Sequence, residues 1–386
     1  MIVGVPKEIL DQEGRVAAIP ETVREYVQMG FEVAVQTAAG EAALFGDDAY
    51  VDAGARVLRD PAELFRTSDI ILKVKQPWRN AAAGYHEAEI IREGTVLVAF
   101  LHPAAPFNHE MVSMLAQRYV TAFSMDAIPR ISRAQRMDAL TSMSTISGYK
   151  AMLIAANRFP KFIPMTGTTL GTLKAATVLV VGAGVVGLQA IATAKRMGAV
   201  VTAVDVRDEA RKTAASLGAK IAGFEIPAEL ASGPDGRSLA LPVAWMEKER
   251  LLLEPLVQQA DILILSALVP GEVAPVLVTT EMIDKMKPGS IIVDVSIDQG
   301  GNCDATELGG ETTRNGVLIL GLWNIPGSMP VHGSWLYAQN VLHYVKNLFH
   351  QGLGAMDLED EITRESLVTH QGRIVHRGTL KAMGLE

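Results

Sequence analysis

Gly182, Gly184 and Gly187 stand in the stretch TVLVVGAGVVGLQAIATAKRMGAVVTAVDVR, where residue types and spacing are suited to chemistry. An apolar β-branched run over 177–181 precedes them and a helical pattern follows. In that context each glycine has a task. Gly182 permits a tight turn, Gly184 lets backbone approach a pyrophosphate, and Gly187 lets the helix pack against the strand. Gly182, Ala183, Gly184, Val185, Val186 and Gly187 therefore read as a phosphate loop, with unpaired N–H groups and the positive end of a helix dipole facing the anion. Asp205 closes the next apolar run. A carboxylate there accepts hydrogen bonds from the adenosine ribose and repels a 2′-phosphate, which favours NAD(H) over NADP(H). Val206 and Arg207 adjoin it, and the Arg207 cation softens that preference. The alternative is a glycine-rich strand–helix turn without a ligand. The motif specifies a cofactor and leaves the reaction open.

Two series of short apolar runs surround this loop. The first comprises 2–5, 31–37, 70–74, 96–101 and 121–125, with helical patterns such as 21–29 and 109–118 between them. The second comprises 177–181, 200–204, 262–266, 291–295 and 317–320. Continuous apolar strands alternating with helices imply parallel sheets buried on both faces. The fold class is α/β: two doubly wound, Rossmann-like parallel-sheet domains with an interdomain cleft. Ligands in such sheets bind beyond the carboxyl ends of strands. Lys75, His102 and the polar residues 296–298 occupy those positions. Residues 334–349 read as an amphipathic packing helix through Leu336, Val341, Val345 and Leu348. Residues 224–250 are the least regular stretch and read as a loop or flap, marked by Gly233, Pro234 and Gly236.

Composition narrows the function classes. The 386 residues exceed one comfortable core, so two domains are expected. A net charge of −8 without basic runs argues against nucleic-acid binding. The single cysteine, Cys303, excludes an intramolecular disulfide and a cysteine-built zinc site, and reads as buried and inert. His332, His343, His350, His370 and His376 lack the spacing of a metal site, and no metal is expected. MIVGVPKEIL reads as a first strand rather than a signal peptide. The most apolar stretch, 178–194, is interrupted by glycines, Gln189 and Thr193, so the chain itself is not expected to span a bilayer.

Residues 129–151 read PRISRAQRMDALTSMSTISGYKA. This stretch, with VPKE, GLQAIATAKRMGAVV, SALVPGEVAPVLVT, MKPGSIIVD and GGNC, resembles the NAD(H)-binding alpha subunit of proton-translocating nicotinamide nucleotide transhydrogenases over nearly the whole chain. The resemblance implies a discontinuous N/C-terminal Rossmann-like domain of 1–133 plus 330–386, and an NAD(H)-binding Rossmann domain of 134–329. It implies hydride transfer between NAD(H) here and NADP(H) on a beta-type partner subunit, with membrane subunits coupling that transfer to proton translocation. It also implies a homodimer, cytoplasmic, reaching the inner face of the cell membrane only through partner subunits. Arg130, Gln135 and Asp138 then orient the nicotinamide, and Ala267 and Leu268 join the cofactor contacts. The family's mobile loop carries Gly-Tyr-Ala-Lys. Residues 224–250 contain no tyrosine, and Trp245 is the aromatic they offer instead.

The chain also resembles the related alanine dehydrogenases. Arg15 in EGRVA, Lys75 in LKVKQP, His102 in FLHPA and Asp298 in VSIDQGG match their substrate set, and NIPGSMP at 324–330 matches their pattern. Oxidative deamination uses cations for a substrate carboxylate and a titratable group for the imine steps. Asp298 alternatively bonds neighbouring backbone or contacts the nicotinamide ribose. The dehydrogenase, and a non-catalytic NAD sensor, remain open beside the transhydrogenase.

Overall fold

The computed structural model describes residues 1–386 except 224–225, 234–235, 237 and 270–272. The chain divides into two compact units, Met1–Met143 with Pro326–Glu386, and Ser144–Ile325. The sequence places the crossings at 133/134 and 329/330. The units change over at Met143/Ser144, inside the helix Ala139–Arg158, and at Ile325/Pro326.

The first unit holds an eight-stranded sheet ordered Arg373–Ile374, Leu367–His370, Thr121–Ser124, Val96–Ala99, Ile70–Leu72, Ile2–Val5, Glu32–Gln36, Ala55–Leu58. The last six are parallel, and the chain runs outward from Ile2–Val5 first to one side and then to the other. The order reverses between Ile2–Val5 and Ile70–Leu72, the place where such sheets open a crevice at their carboxyl ends. There Lys73, fully buried, lies 3.2 Å from Glu8 Oε2 and 3.2 Å from Glu87 Oε2. Glu8 also accepts from the Val74 N–H at 2.6 Å, and Glu87 from the Trp78 N–H at 2.9 Å. The hydroxyl of Tyr337, on the helix Pro330–Leu348, donates to the Lys73 carbonyl at 2.8 Å. Burial pushes Glu8 up to about 7 against the pull of Lys73, while the two carboxylates outweigh burial at Lys73 and hold its ammonium protonated.

The second unit holds seven strands ordered Lys220–Ile221, Val200–Val204, Thr177–Val181, Ile262–Leu265, Ile291–Asp294, Val317–Leu320, Glu311–Arg314. Strand residues alternate between two cores, as the two-residue period of a strand requires. Val178, Val180, Ile262, Ile264 and Val293 pack with Ala151, Met152 and Ala155 of the helix Ala139–Arg158 and with Ala190, Ile191 and Ala194 of the helix Val185–Arg196. Leu179, Val181, Leu263, Leu265 and Ile292 pack with Leu253 and Val257 of the helix Val243–Gln259. Each such side chain contributes roughly 1.5–3 kcal/mol on burial.

The expectation of purely parallel sheets needs correction, because both sheets are mixed. Glu311–Arg314 pairs antiparallel with Val317–Leu320, Leu367–His370 with Thr121–Ser124, and Arg373–Ile374 with Leu367–His370. Two hairpins turn at Asn315–Gly316 (φ 48° and 77°) and Gln371–Gly372 (φ 48° and 78°). Two successive positive φ angles make type I′ turns, whose twist matches that of paired strands. The 224–250 segment is also not loop throughout, since Ala228–Ala231 and the first turns of Val243–Gln259 are helical. Phe224, Glu225, Pro234, Asp235 and Arg237 of that segment lie outside the described residues, as do Pro270, Gly271 and Glu272 of SALVPGEVAPVLVT. Among the described residues no helix is long and apolar enough to cross a membrane.

Removing Lys73 leaves two buried carboxylates facing each other. Lys73→Met is expected to destabilise the first unit by about 3–5 kcal/mol at pH 8. The loss should shrink at pH 5, where the unpaired carboxyls take up protons. Thermal denaturation at the two pH values measures it, and an equal shift at both would contradict the ionic account.

Candidate functional site

The strand Thr177–Val181 runs parallel between Val200–Val204 and Ile262–Leu265, so the loop after it emerges where the strand order reverses. Gly182 takes φ +85°, and a Cβ there would lie 2.7 Å from the Ala267 nitrogen and from the Ser266 carbonyl oxygen. At Gly187 a Cβ would fall 1.9 Å from the Gly182 carbonyl oxygen, so the helix Val185–Arg196 can approach the loop only without a side chain there. Gly184 differs: an added Cβ would meet only Arg207 Nη2, at 3.9 Å. The backbone at Gly184 is therefore open to a bulky neighbour. The first-turn N–H groups of the helix have no carbonyl within the helix to receive them. Lys195 and Arg196 occupy its last turn and complement the dipole. The arrangement can receive a pyrophosphate.

Asp205 is buried, and its carboxylate accepts from the Ala183 N–H at 2.7 Å and the Arg207 N–H at 2.8 Å. Arg207 Nε and Nη2 add a fork at 3.1 and 3.0 Å. The acid named in the sequence thus braces the glycine loop as well as facing its opening. Val206 is half-buried, and its carbonyl accepts from Arg211 at 2.9 Å. The Ala267 peptide is pinned from both sides by Asn302, which accepts from its N–H at 2.9 Å and donates to its carbonyl at 2.8 Å. Leu268 beside it is half-buried.

Several contributors escape the sequence reading. Ser266 Oγ donates to the Gly182 carbonyl at 2.8 Å, yet the residue looks like the tail of an apolar run. Asp294 accepts from the N–H groups of Ser296, Asn302 and Cys303 at 3.1, 2.8 and 3.0 Å, which folds GGNC under the Ala267 peptide. Burial pushes Asp294 up to about 6, and pushes the Cys303 thiol up as well. Gly148 brings the helix Ala139–Arg158 against the loop helix, since a Cβ there would lie 2.0 Å from the Val186 carbonyl oxygen. Glu249, 6% exposed, is pushed up to about 7 by burial and by the nearby Asp205.

The segment matching RISRAQRMD lies in the first unit. Arg130 and Gln135 are exposed, with Gln135 on the 3-10 helix Ser132–Met137. Asp138 is engaged structurally, accepting from the Thr141 N–H at 2.8 Å and its hydroxyl at 2.6 Å in the first turn of the helix Ala139–Arg158. Asn340 donates to the Arg136 carbonyl at 2.8 Å, and Arg133 pairs with Asp360 at 2.5 Å, so the short helix is anchored on both sides of Gln135.

Arg15, Lys75 and His102 also lie in the first unit. Arg15 is 2% exposed and grips Glu13 through Nε at 2.7 Å and Nη2 at 2.5 Å. Burial works against the Glu13 carboxylate, but Arg15 and, at longer range, Lys75 hold it below the usual range. Glu13 and Arg15 line a cavity of about 220 Å³ with Lys7, Glu8 and Glu41. His102 takes φ +43°, stacks on Phe100 at 5.9 Å and pairs with Asp126 at 3.3 Å. Burial would raise Asp126, but His102 and the hydrogen bonds it receives hold it down at about 2. Asp298 lies in the second unit, exposed on the 3-10 turn Ile297–Gln299. Trp245 stands on the helix Val243–Gln259 with Lys248 Nζ 4.0 Å from its ring centroid.

Glu249 makes a pH test of this region. Its folded pKa of about 7 lies above the ordinary 4.5, so between those values the unfolded chain has released a proton that the folded chain keeps. Stability therefore falls as pH rises through that window and is flat above it. Glu249→Gln is expected to raise stability at pH 8 by on the order of 1–3 kcal/mol and to change little near pH 4. Urea denaturation at both pH values checks this, and an unchanged slope between them would remove Glu249 as its source.

Comparison with known proteins places this architecture. The model of the alanine dehydrogenase/PNT N-terminal domain matches residues 4–147, and that of the C-terminal domain matches 151–377. The first of the two alpha-subunit chains of the NAD(P) transhydrogenase of Rhodospirillum rubrum is 41% identical over 380 residues, covering 97% of this chain and 98% of that protein. The crystal structure of transhydrogenase from Sinorhizobium meliloti matches with a TM-score of 0.85 at 39% identity, covering 97% of this chain and 100% of that one. Alanine dehydrogenase of Bacillus subtilis is 31% identical over 394 residues, covering 100% of this chain and 96% of that protein. Two Rossmann-ordered sheets, a glycine loop at the strand reversal and matches along nearly the whole length lead to one conclusion: the chain belongs to the alanine dehydrogenase/PNT family.

Proposed function

We propose that this chain is the NAD(H)-binding alpha subunit of an NAD(P) transhydrogenase. It passes hydride directly between NAD(H) and NADP(H) held by a partner beta subunit. The observation that carries the reading is the phosphate loop at Gly182–Gly187, open at Gly184, in a chain 41% identical to a transhydrogenase alpha subunit over 97% of its length. The glycine loop and the first turn of the helix Val185–Arg196 hold the pyrophosphate, and Asp205 takes the adenosine ribose. The bound nicotinamide supplies or receives the hydride. Such a transfer needs no general acid or base, so the contribution of the protein is position.

Arg130, Gln135 and Asp138 are assigned to the nicotinamide end. The anchoring of their segment supports this, because Gln135 projects from a short helix held on both sides. Ala267 and Leu268 line the cofactor path, with the Ala267 peptide oriented by Asn302. In the same proposal the chain forms a homodimer and is cytoplasmic, and membrane subunits hold it at the inner face of the cell membrane and couple hydride transfer to proton movement. Identity to the dehydrogenase relative is lower, at 31%, and the chain alone is not expected to deaminate L-alanine.

The purified chain mixed with an NADP(H)-binding partner subunit should transfer hydride from NADH to an oxidised NADP analogue. Gln135→Ala should slow transfer about tenfold while leaving NADH affinity within twofold, the pattern of a contact made only at the transition state. Asp205→Ala should weaken NADH binding by about tenfold. Reduction of NAD by L-alanine without any partner would overturn the transhydrogenase reading in favour of the dehydrogenase.

A further inference from the structure

We infer that Arg207 determines how strongly this site rejects a 2′-phosphate, and that by covering Asp205 it makes NADP(H) a tolerated, weaker ligand of the NAD(H) site. The inference rests on the NAD(H) reading of the phosphate loop. A carboxylate offers roughly four acceptor sites. Those of Asp205 receive four N–H donors, from the Ala183 backbone, the Arg207 backbone, Arg207 Nε and Arg207 Nη2. The two backbone donors are fixed by the glycine turn and by the chain entering the helix Asp208–Ser216. A ribose diol can therefore reach Asp205 only by displacing the guanidinium fork.

The displaced group stays at the opening. Its Nη2 lies 3.9 Å from where a Gly184 Cβ would stand, and the Arg207 side chain is 22% exposed, so it has room on the solvent side. The surrounding charges do not hold it elsewhere. Asp208 is already paired with Lys212 at 2.6 Å and with Arg211 at 3.5 Å. Arg211 is itself tied by Nη1 to the carbonyls of Asp205 and Val206, at 2.9 Å each.

Two entering ligands then meet different partners. An unmodified ribose takes the Asp205 oxygens and leaves Arg207 to solvent. A ribose bearing a 2′-phosphate leaves Asp205 to its backbone donors and takes the guanidinium, whose planar fork suits phosphate oxygens. Asp205 alone would repel that phosphate. The Asp205–Arg207 pair presents no net charge to it, so discrimination is set by the two residues together.

The test uses the full chain with ADP-ribose and 2′-phospho-ADP-ribose, which lack the nicotinamide and report only the adenosine end. Calorimetry gives the ratio of their dissociation constants. Arg207→Ala should raise the preference for ADP-ribose about tenfold, the scale of one lost charge-assisted contact. Arg207→Lys, which keeps charge without the fork, should fall between, and Asp205→Asn should lower the preference. In the unaltered chain the 2′-phosphorylated ligand should lose affinity more steeply with salt than ADP-ribose does, and Arg207→Ala should narrow that difference. A ratio within twofold of the unaltered chain in Arg207→Ala overturns the inference alone. Failure of the unaltered chain to bind ADP-ribose overturns the NAD(H) reading and this inference with it.

Discussion

A methyl group added at residue 187 would sit 1.9 Å from the carbonyl oxygen of residue 182. That approach, tighter than any side chain permits, fixes the rest of the second unit. It sets the helix Val185–Arg196 against the end of its strand, which aims the first-turn N–H groups at the opening beside Gly184. A second contact of the same kind, Gly148 against the Val186 carbonyl, packs the long helix Ala139–Arg158 onto the first. Around this point the polar partners are arranged in one chain. Ser266 holds the Gly182 carbonyl, Asp205 holds the Ala183 N–H, and Asn302 holds both polar groups of the Ala267 peptide. Each of these groups is buried or nearly so, and a buried hydrogen bond left unmade is more costly than its presence is stabilising. The loop is consequently rigid before any ligand arrives.

The first unit uses the same strand order for a different purpose. Where the second unit has glycines at its strand reversal, the first has a buried ammonium between two carboxylates. Such a cluster is not a source of large net stability, because desolvation offsets most of the attraction. It fixes geometry instead. Lys73 ties Glu8, which follows the first strand, to Glu87, and Glu8 in turn holds the Val74 N–H beyond the fourth. The Tyr337 hydroxyl on the Lys73 carbonyl brings the C-terminal helix Pro330–Leu348 to the same place. The sequence separation of these partners explains why a discontinuous unit holds together.

Much of this was legible in the residues. The runs at Ile2–Val5, Thr177–Val181, Val200–Val204 and Val317–Leu320 are strands at the bounds that the apolar pattern marks. They are covered on both faces, which leaves no polar alternation to blur them. The glycine spacing and Asp205 also stood out, because each has one local conformation to satisfy. Other features depend on distant partners and leave no such trace. Ser266 looks like a strand residue until Gly182 is placed beside it. Glu249 looks like one more surface charge on a helix until burial near Asp205 raises its proton affinity. The antiparallel strands were missed for a nearer reason. Arg-Asn-Gly-Val carries the turn signal of a two-residue hairpin, but a pattern of alternating strands and helices draws attention away from it.

Those hairpins carry a consequence for how the chain behaves among many copies of itself. A parallel sheet that ends on a long apolar strand offers a row of unpaired N–H and C=O groups to any neighbouring molecule. Here the flank of the second sheet is Glu311–Arg314, whose ETTR side chains are polar or charged, and the opposite flank is only Lys220–Ile221. In the first sheet one flank is the two-residue Arg373–Ile374, and the other, Ala55–Leu58, bears Arg56. Short or charged borders of this kind make poor templates for strand addition. Protection against self-association is therefore built into the margins of both sheets, apart from whatever the glycine loop does.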